Sequence, residues 1–226
     1  MTSESRSPKA EGNPKAEIRK ALVCFALKEE ACPFQKLVAG RRDVRVVLVG
    51  MGKRNAERAI RAALTEERPD LVLTCGLAGG LKPDLGLGTV VFDADPDAGL
   101  ETALVAAGAK AARFYCAERV AATAAEKRAL WETTGADVVE MESAPIRAVC
   151  REQKIPSATV RVILDMAQDN LPLDFNQLLT PGQEMSYGRL ALALLKSPGK
   201  IRRLLQMRRQ SQAAAGSLGR VLADLL

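Results

Sequence analysis

Short apolar runs alternate with segments of helical spacing along most of the chain. Residues 21–26, 44–49, 71–75 and 89–92 are runs of strand length, rich in Val and Leu, and 112–116, 137–141 and 158–164 have the same form. Between them, residues 28–37, 55–65, 100–107, 123–135 and 144–153 read as helices; Ala56, Ile60, Ala63 and Leu64 show the spacing most clearly. Pro33 is compatible with the first helix only near its start, and Pro69 ends the second. Thr123 and Glu126 have the spacing of a capping box, which starts the fourth helix and leaves Gly135 at its end. Gly50-Met51-Gly52 reads as the turn after the second strand, and Gly76-Leu77-Ala78-Gly79-Gly80-Leu81 as a glycine-rich loop after the third. From Pro172 onward the pattern is helical. Such alternation predicts an α/β sandwich with a mostly parallel sheet.

The chain has 226 residues, of which 47% are hydrophobic, enough for one sizeable core, so residues 19–226 are expected to form a single domain. Residues 1–18 are polar, with Pro8, Gly12 and Pro14, and read as a disordered tail rather than a secretory signal. Aromatic residues are only 4%, so Leu, Val, Ile and Ala must build the core. The five cysteines are odd in number and widely spaced, which fits buried thiols in the cytoplasm and offers no metal-ligand spacing. No apolar run approaches the roughly 20 residues of a membrane span. The net charge of +6 admits an anionic partner, but no aromatic-interleaved basic patch or readout motif points to nucleic acid.

In two places an apolar run leads straight into carboxylates: Val138-Val139-Glu140-Met141-Glu142 and Val162-Ile163-Leu164-Asp165. Strand carboxyl ends open onto the ligand crevice in parallel α/β sheets. With no histidine in the chain, acid/base chemistry would be run by carboxylates. Glu140 and Glu142 share a side if the strand continues, but not if the next helix has begun. Asp165 reads either as such an acid or as a helix cap. Glu29 and Glu30 follow the first strand, where a solvated first helical turn also accounts for them. The loop carrying Gly76, Ala78 and Gly79 would let backbone N–H groups approach an anion or a sugar, although a tight turn explains it equally; it matches neither the dinucleotide fingerprint nor the P-loop pattern.

Five motifs occur in order: Ala26-Leu27-Lys28-Glu29-Glu30, Gly50-Met51-Gly52-Lys53-x-Asn55-Ala56, the Gly76–Leu81 block, Val139-Glu140-Met141-Glu142 and Arg161-Val162-Ile163-Leu164-Asp165. Over residues 20–170 this set resembles the nucleoside phosphorylase/nucleosidase superfamily, and among its branches the methylthioadenosine/S-adenosylhomocysteine nucleosidases. The resemblance implies a three-layer α/β sandwich with a central mixed, mostly parallel sheet and a helical C-terminus. It implies cleavage of the N-glycosidic bond of a purine nucleoside, with adenine as the base, in a homo-oligomer that needs no cofactor. Glu142 would hold the ribose hydroxyls with Met141 against the sugar, Asp165 would protonate or hydrogen-bond purine N7, and Glu30 would activate the attacking water. Glu140, Gly52, Gly76, Ala78 and Gly79 would complete the substrate site.

Departures from the family pattern bear on that reading. Leu164 stands where the hydrolases carry serine. The purine-stacking aromatic would fall near Val120, where the chain has none, and the stretch 89–134 is short. These departures leave open a purine- or nucleoside-binding protein that has lost catalysis. Glu29, Glu30 and Leu71 occupy places where phosphorylases bind phosphate through arginine, so water is favoured over phosphate as acceptor, with Thr74 left as a contact for an anion.

Residues 182–226 form a basic helical segment that resembles the hopanoid-associated branch, whose proposed substrate is adenosylhopane. Lys196, Lys200, Arg202, Arg203, Arg208, Arg209 and Arg220 lie in 196–220 without an acid, and Ile201, Leu204 and Leu205 share an apolar face beside them. A helix of this kind fits peripheral contact with the inner membrane surface, or packing on the domain with a solvated face.

Overall fold

The structure, a computed structural model, describes residues 20–183 and 186–226. The tail expected over 1–18 lies outside the described residues. Residues 1–19 aside, the chain threads strands and helices in alternation: β1 (Ala21–Phe25), α1 (Lys28–Leu37), β2 (Val44–Leu48), α2 (Lys53–Glu66), β3 (Leu71–Gly80), β4 (Val90–Ala94), α3 (Glu101–Ala106), β5 (Lys110–Ala111), β6 (Phe114–Cys116), α4 (Ala124–Thr134), β7 (Val138–Glu140), α5 (Ser143–Glu152), β8 (Ser157–Asp165), α6 (Tyr187–Lys196) and α7 (Ile201–Leu225). Short 3₁₀ turns lie at Pro96–Ala98, Phe175–Leu178 and Pro198–Lys200.

The central sheet runs β2-β1-β3-β8-β4-β5. Its first four strands are parallel, while β4 is antiparallel to β8. Apolar residues on both faces of β1 and β3 follow from helical cover on both sides. Phe34 of α1, Leu104 of α3 and Leu218 and Leu222 of α7 pack with Phe25 and Val160 on one face. Ile60 of α2 and Ile146 and Val149 of α5 pack with Leu22 and Cys24 on the other. The expected three-layer sandwich with a mixed, mostly parallel sheet is therefore present.

One expectation fails in a way that matters. Residues 76–80 do not form a loop; they are the second half of β3. The parallel ladder to β8 continues through Gly76–Arg161, Leu77–Val162 and Ala78–Ile163, then a bulge at Ala78/Gly79 shifts the register to Gly79–Asp165. On the other edge Gly79 and Gly80 pair antiparallel with Val139 and Val138 of β7. Two flanking ladders satisfy the backbone of this glycine-rich stretch, so intrinsic strand propensity does not decide its state.

Pro33 is the sixth residue of α1, deeper than a first-turn position. There α1 is pressed against α7: an added Cβ on Gly219 would lie 3.1 Å from the Phe34 nitrogen. Packing of this closeness offsets the hydrogen bond that proline removes. Of the expected strand over 112–116 only Phe114–Cys116 forms, as β6 beside β7; the two-residue β5 just before it, Lys110–Ala111, joins β4 instead.

Candidate active site

The carboxyl ends of β1, β3 and β8 meet the end of β7, and a cavity of about 220 Å³ opens there. Glu30, Ala78, Gly79, Val120, Glu140, Met141, Glu142, Leu164 and Asp165 all line it. They come from places up to 135 residues apart in the chain, Glu30 to Asp165.

β7 ends at Glu140 and α5 begins at Ser143, so the chain turns between the two glutamates and Glu142 becomes the residue preceding the helix. Strand alternation therefore does not relate them. Glu140 accepts hydrogen bonds from the backbone N–H groups of Glu142 (2.9 Å) and Ser143 (2.8 Å), and from the Ser143 hydroxyl (2.6 Å). It is a structural acceptor at the start of α5, where the helix favours a negative charge. Glu142 instead accepts from the Gly52 N–H at 2.8 Å. Gly52 thus acts through Glu142, with a φ of +81° that glycine adopts without steric cost.

Arg161 organises this end of the cavity. It is buried in β8 and its Nη2 donates to Glu140 at 2.7 Å and to Glu142 at 3.4 Å. The same nitrogen reaches the Thr74 hydroxyl at 3.3 Å, and Nη1 donates to the Cys75 carbonyl at 2.9 Å. Thr74, expected as an anion contact, is bound to the guanidinium and is not among the residues lining the cavity. Gly76 makes room for the arrangement: a Cβ there would lie 2.5 Å from Arg161 Nη1 and 2.9 Å from Glu30 Oε2, at a φ of +147°. Its role is to let a buried ion cluster close.

Glu29 is exposed, as a solvated first turn requires, but Glu30 is buried. Its carboxylate accepts from the N–H groups of Leu27 and Leu77, both at 3.3 Å. Burial raises its pKa above the ordinary glutamate value, and Arg161 together with those N–H groups opposes the rise. Glu142 is raised as well, to about 7, by burial first, with Arg161 opposing and Glu140 adding to the rise.

Asp165 sits at the other end. With 16% of its side chain exposed it is not a helix cap; it pairs with the ammonium of Lys127, which is fully buried. Burial raises the Asp165 pKa and Lys127 counters it. The chain position of Lys127, one residue past the capping-box glutamate, carried no sign of this partnership. The capping box itself forms as expected: Thr123 Oγ1 accepts from the Glu126 N–H and Glu126 accepts from the Thr123 N–H at 3.1 Å.

The wall between the two ends is mostly apolar; Arg119 also lines the cavity, paired with Glu126. Val120 has no aromatic neighbour in sequence, but Phe175 lines the same cavity. Asn176, next to Phe175 in the chain, ties that segment to Val120 by accepting from its N–H and donating to its carbonyl, both at 2.9 Å. Met51 and Leu171 extend the apolar wall, and Met207 reaches it from α7. Phe175 and Met207 lie in the segment where the sequence offers only a helical pattern, so neither was legible as a site residue.

A model of the phosphorylase superfamily matches residues 28–95 and 91–195. The chain is 25% identical to the 5′-methylthioadenosine/S-adenosylhomocysteine nucleosidase of Shewanella sediminis, over 71% of this chain and 86% of that protein. Among solved structures, the futalosine hydrolase of Helicobacter pylori superposes with a TM-score of 0.68 at 16% identity, covering 92% of this chain and 97% of that one. The 5′-methylthioadenosine/S-adenosylhomocysteine nucleosidase of the same organism, solved with butyl-thio-DADMe-Immucillin-A, gives 0.63 at 15% identity, covering 91% and 97%. At these identities the superpositions speak for the fold alone.

Proposed function

Because the chain belongs to the phosphorylase superfamily, we propose that its cavity cleaves the N-glycosidic bond of a purine nucleoside, with adenine as the base and water as the acceptor. The observation that carries this reading is the convergence of Glu30, Glu142 and Asp165 on one cavity with their carboxylates in different settings. Glycosidic cleavage builds positive charge on the ribosyl ring and electron density on the departing base. Glu142 binds the ribose hydroxyls and, with Glu30, stabilises the cationic ring. Glu30 accepts a proton from the attacking water, and its burial brings its basicity closer to neutral pH. Asp165 gives a proton to purine N7, so the base leaves neutral. Met141 packs on the sugar and Phe175 supplies the face on which the purine stacks.

Water is favoured over phosphate by charge. Arg161 is already engaged by Glu140 and Glu142 and lies close to Glu30, so the sugar end keeps an excess of negative charge that repels an anion. Product analysis tests both halves of the reading. Adenine and a free sugar should appear at the same rate with or without phosphate; sugar 1-phosphate would overturn hydrolysis, and tight purine binding without any turnover would favour a binding protein on this fold.

The 5′ substituent is proposed to be lipophilic, as in a hopanoid-linked nucleoside. Met207, which lines the cavity, shares α7 with an exposed apolar and basic surface. Leu192 and Leu195 of α6 and Ile201 and Leu205 of α7 are exposed, Leu195 to 80%, beside exposed Lys196, Lys200, Arg202 and Arg203. No described helix is long and apolar enough to cross a membrane, which leaves docking at the surface of an anionic bilayer as the way to reach such a substrate. Anionic liposomes should co-sediment the protein, and a variant with Arg202 and Arg203 both replaced by Glu should bind several-fold less. Equal binding by the two would sink the idea.

A further inference from the structure

Asp165 must hold a proton in order to give one, and the fold sets a lysine against it. Lys127 is the fourth residue of α4 and is fully buried. Its ammonium contacts Asp165 Oδ2 and donates to the carbonyls of Met166 (2.8 Å) and Asp169 (3.2 Å), which uses its three N–H bonds. Everything around it is tied down. The start of α4 is fixed by its capping box, and the Ala124 N–H donates to Asn170 Oδ1 at 2.8 Å. The Leu171 N–H donates to the Ala122 carbonyl, also at 2.8 Å, so the turn after β8 and the head of α4 form one rigid cradle. The charged groups facing Asp165 are Lys127 from α4 and Asp169 from that turn, whose carboxylate accepts from the Met166 N–H at 2.9 Å.

We propose that Lys127 is a positioning residue that both aims Asp165 and supplies the proton Asp165 delivers to the purine. In the open cavity the two form an ion pair. A bound purine covers the pair and removes the water that still reaches Asp165. Low-dielectric surroundings penalise two charges more than two neutral groups. One N–H bond of the ammonium breaks, an O–H bond forms on Asp165, and the pair becomes amine and carboxylic acid. Asp165 then transfers that proton to N7 while the electron pair of the breaking C–N bond passes into the purine. The amine regains a proton from water when the base departs. The two backbone carbonyls accept hydrogen bonds from the amine as well as, more strongly, from the ammonium, and keep Lys127 in place throughout.

The inference rests on the reading of Asp165 as the leaving-group acid, and its test separates the two. If the wild-type protein releases adenine from no adenine nucleoside, that reading fails. If it does, Lys127→Met should lower kcat by about 10–100-fold with little change in KM. Cleavage of 4-nitrophenyl riboside, whose leaving group departs without a proton, should lose less than a tenth as much. In an Asp165→Asn background Lys127→Met should add no further loss, because the lysine acts through the aspartate. Wild-type kcat in Lys127→Met, an equal loss on both substrates, or additive losses in the double variant would overturn the proposal. Adenine binding to the intact protein gives an independent measure should the variant fail to fold. Calorimetry in two buffers of different ionisation enthalpy should show no net proton taken from solvent, and uptake of a full proton would overturn it.

Discussion

At one end of the cavity the buried glutamates Glu30, Glu140 and Glu142 share the single guanidinium of Arg161; at the other, Asp165 has the ammonium of Lys127 to itself. The first end keeps a surplus of negative charge, and at the second the Asp165–Lys127 pair itself balances to zero, with the Asp169 carboxylate held by the Met166 N–H beside it. The same side-chain chemistry is thereby suited to opposite tasks. Surplus negative charge favours a cation forming on the sugar, and a balanced pair with a mobile proton favours a base that must leave neutral. What distinguishes the ends is how many carboxylates share the one cation the fold delivers to each, since every one of these carboxylates is desolvated.

Removing the shared cation should have the largest effect. Arg161→Met leaves buried carboxylates without a counter-charge, and breaking such a cluster costs about 3–5 kcal/mol. Urea denaturation should show a loss of that order; a midpoint close to wild type would mean the cluster is not held by Arg161. Asp165→Asn comes next: it removes the proton donor, so kcat should fall by about 10²–10⁴, and it leaves the buried Lys127 ammonium without its counter-charge, so the melting temperature should fall as well. Near-wild-type kcat would refute its role.

Gly76→Ala probes the same comparison without altering charge. The atoms nearest the added Cβ belong to Arg161 and Glu30, at the first end, so ribose binding should suffer while the Asp165-dependent limb of the pH profile stays fixed. A shift of that alkaline limb would show that the two ends are coupled. The smallest expected effect is on stability against pH. Glu142 titrates near 7 in the folded protein against 4.5 as a free group, so between those values the folded state binds more protons than the unfolded. Stability from this group therefore falls as pH rises through that window. Glu142→Gln should flatten the fall and melt higher than wild type above pH 7, while losing turnover. Parallel melting curves would contradict the raised pKa.

Much of the scaffold can be read locally. The helix start at Thr123 rests on contacts three residues apart, and the β1 run and the first half of β3 are legible because a strand buried on both faces must be apolar along its length. Residues 76–80 escape such reading, because two neighbouring strands, not the glycines, make them a strand. The turn between Glu140 and Glu142 escapes it too. Two residues cannot signal locally whether a strand continues or a helix begins.

The site divides in the same manner. Glu30, Glu140, Glu142 and Asp165 stand out in sequence because carboxylates that end apolar runs are conspicuous, and their ordered motifs match a known pattern. Arg161 opens one of those motifs, yet nothing local shows that it pairs with the glutamates, and Lys127, one turn into a helix, looks like any solvated charge. Phe175 and Met207 look like ordinary apolar residues of a helical tail. The sequence by itself determined the layers of the fold and the identity of the acids, which depend on periodicity and residue type. Only the tertiary structure decided which cation each acid meets, and with that the charge of each end of the cavity. Ion pairing inside a protein depends on distances of a few ångströms between segments far apart in the chain, and local pattern carries no record of those distances.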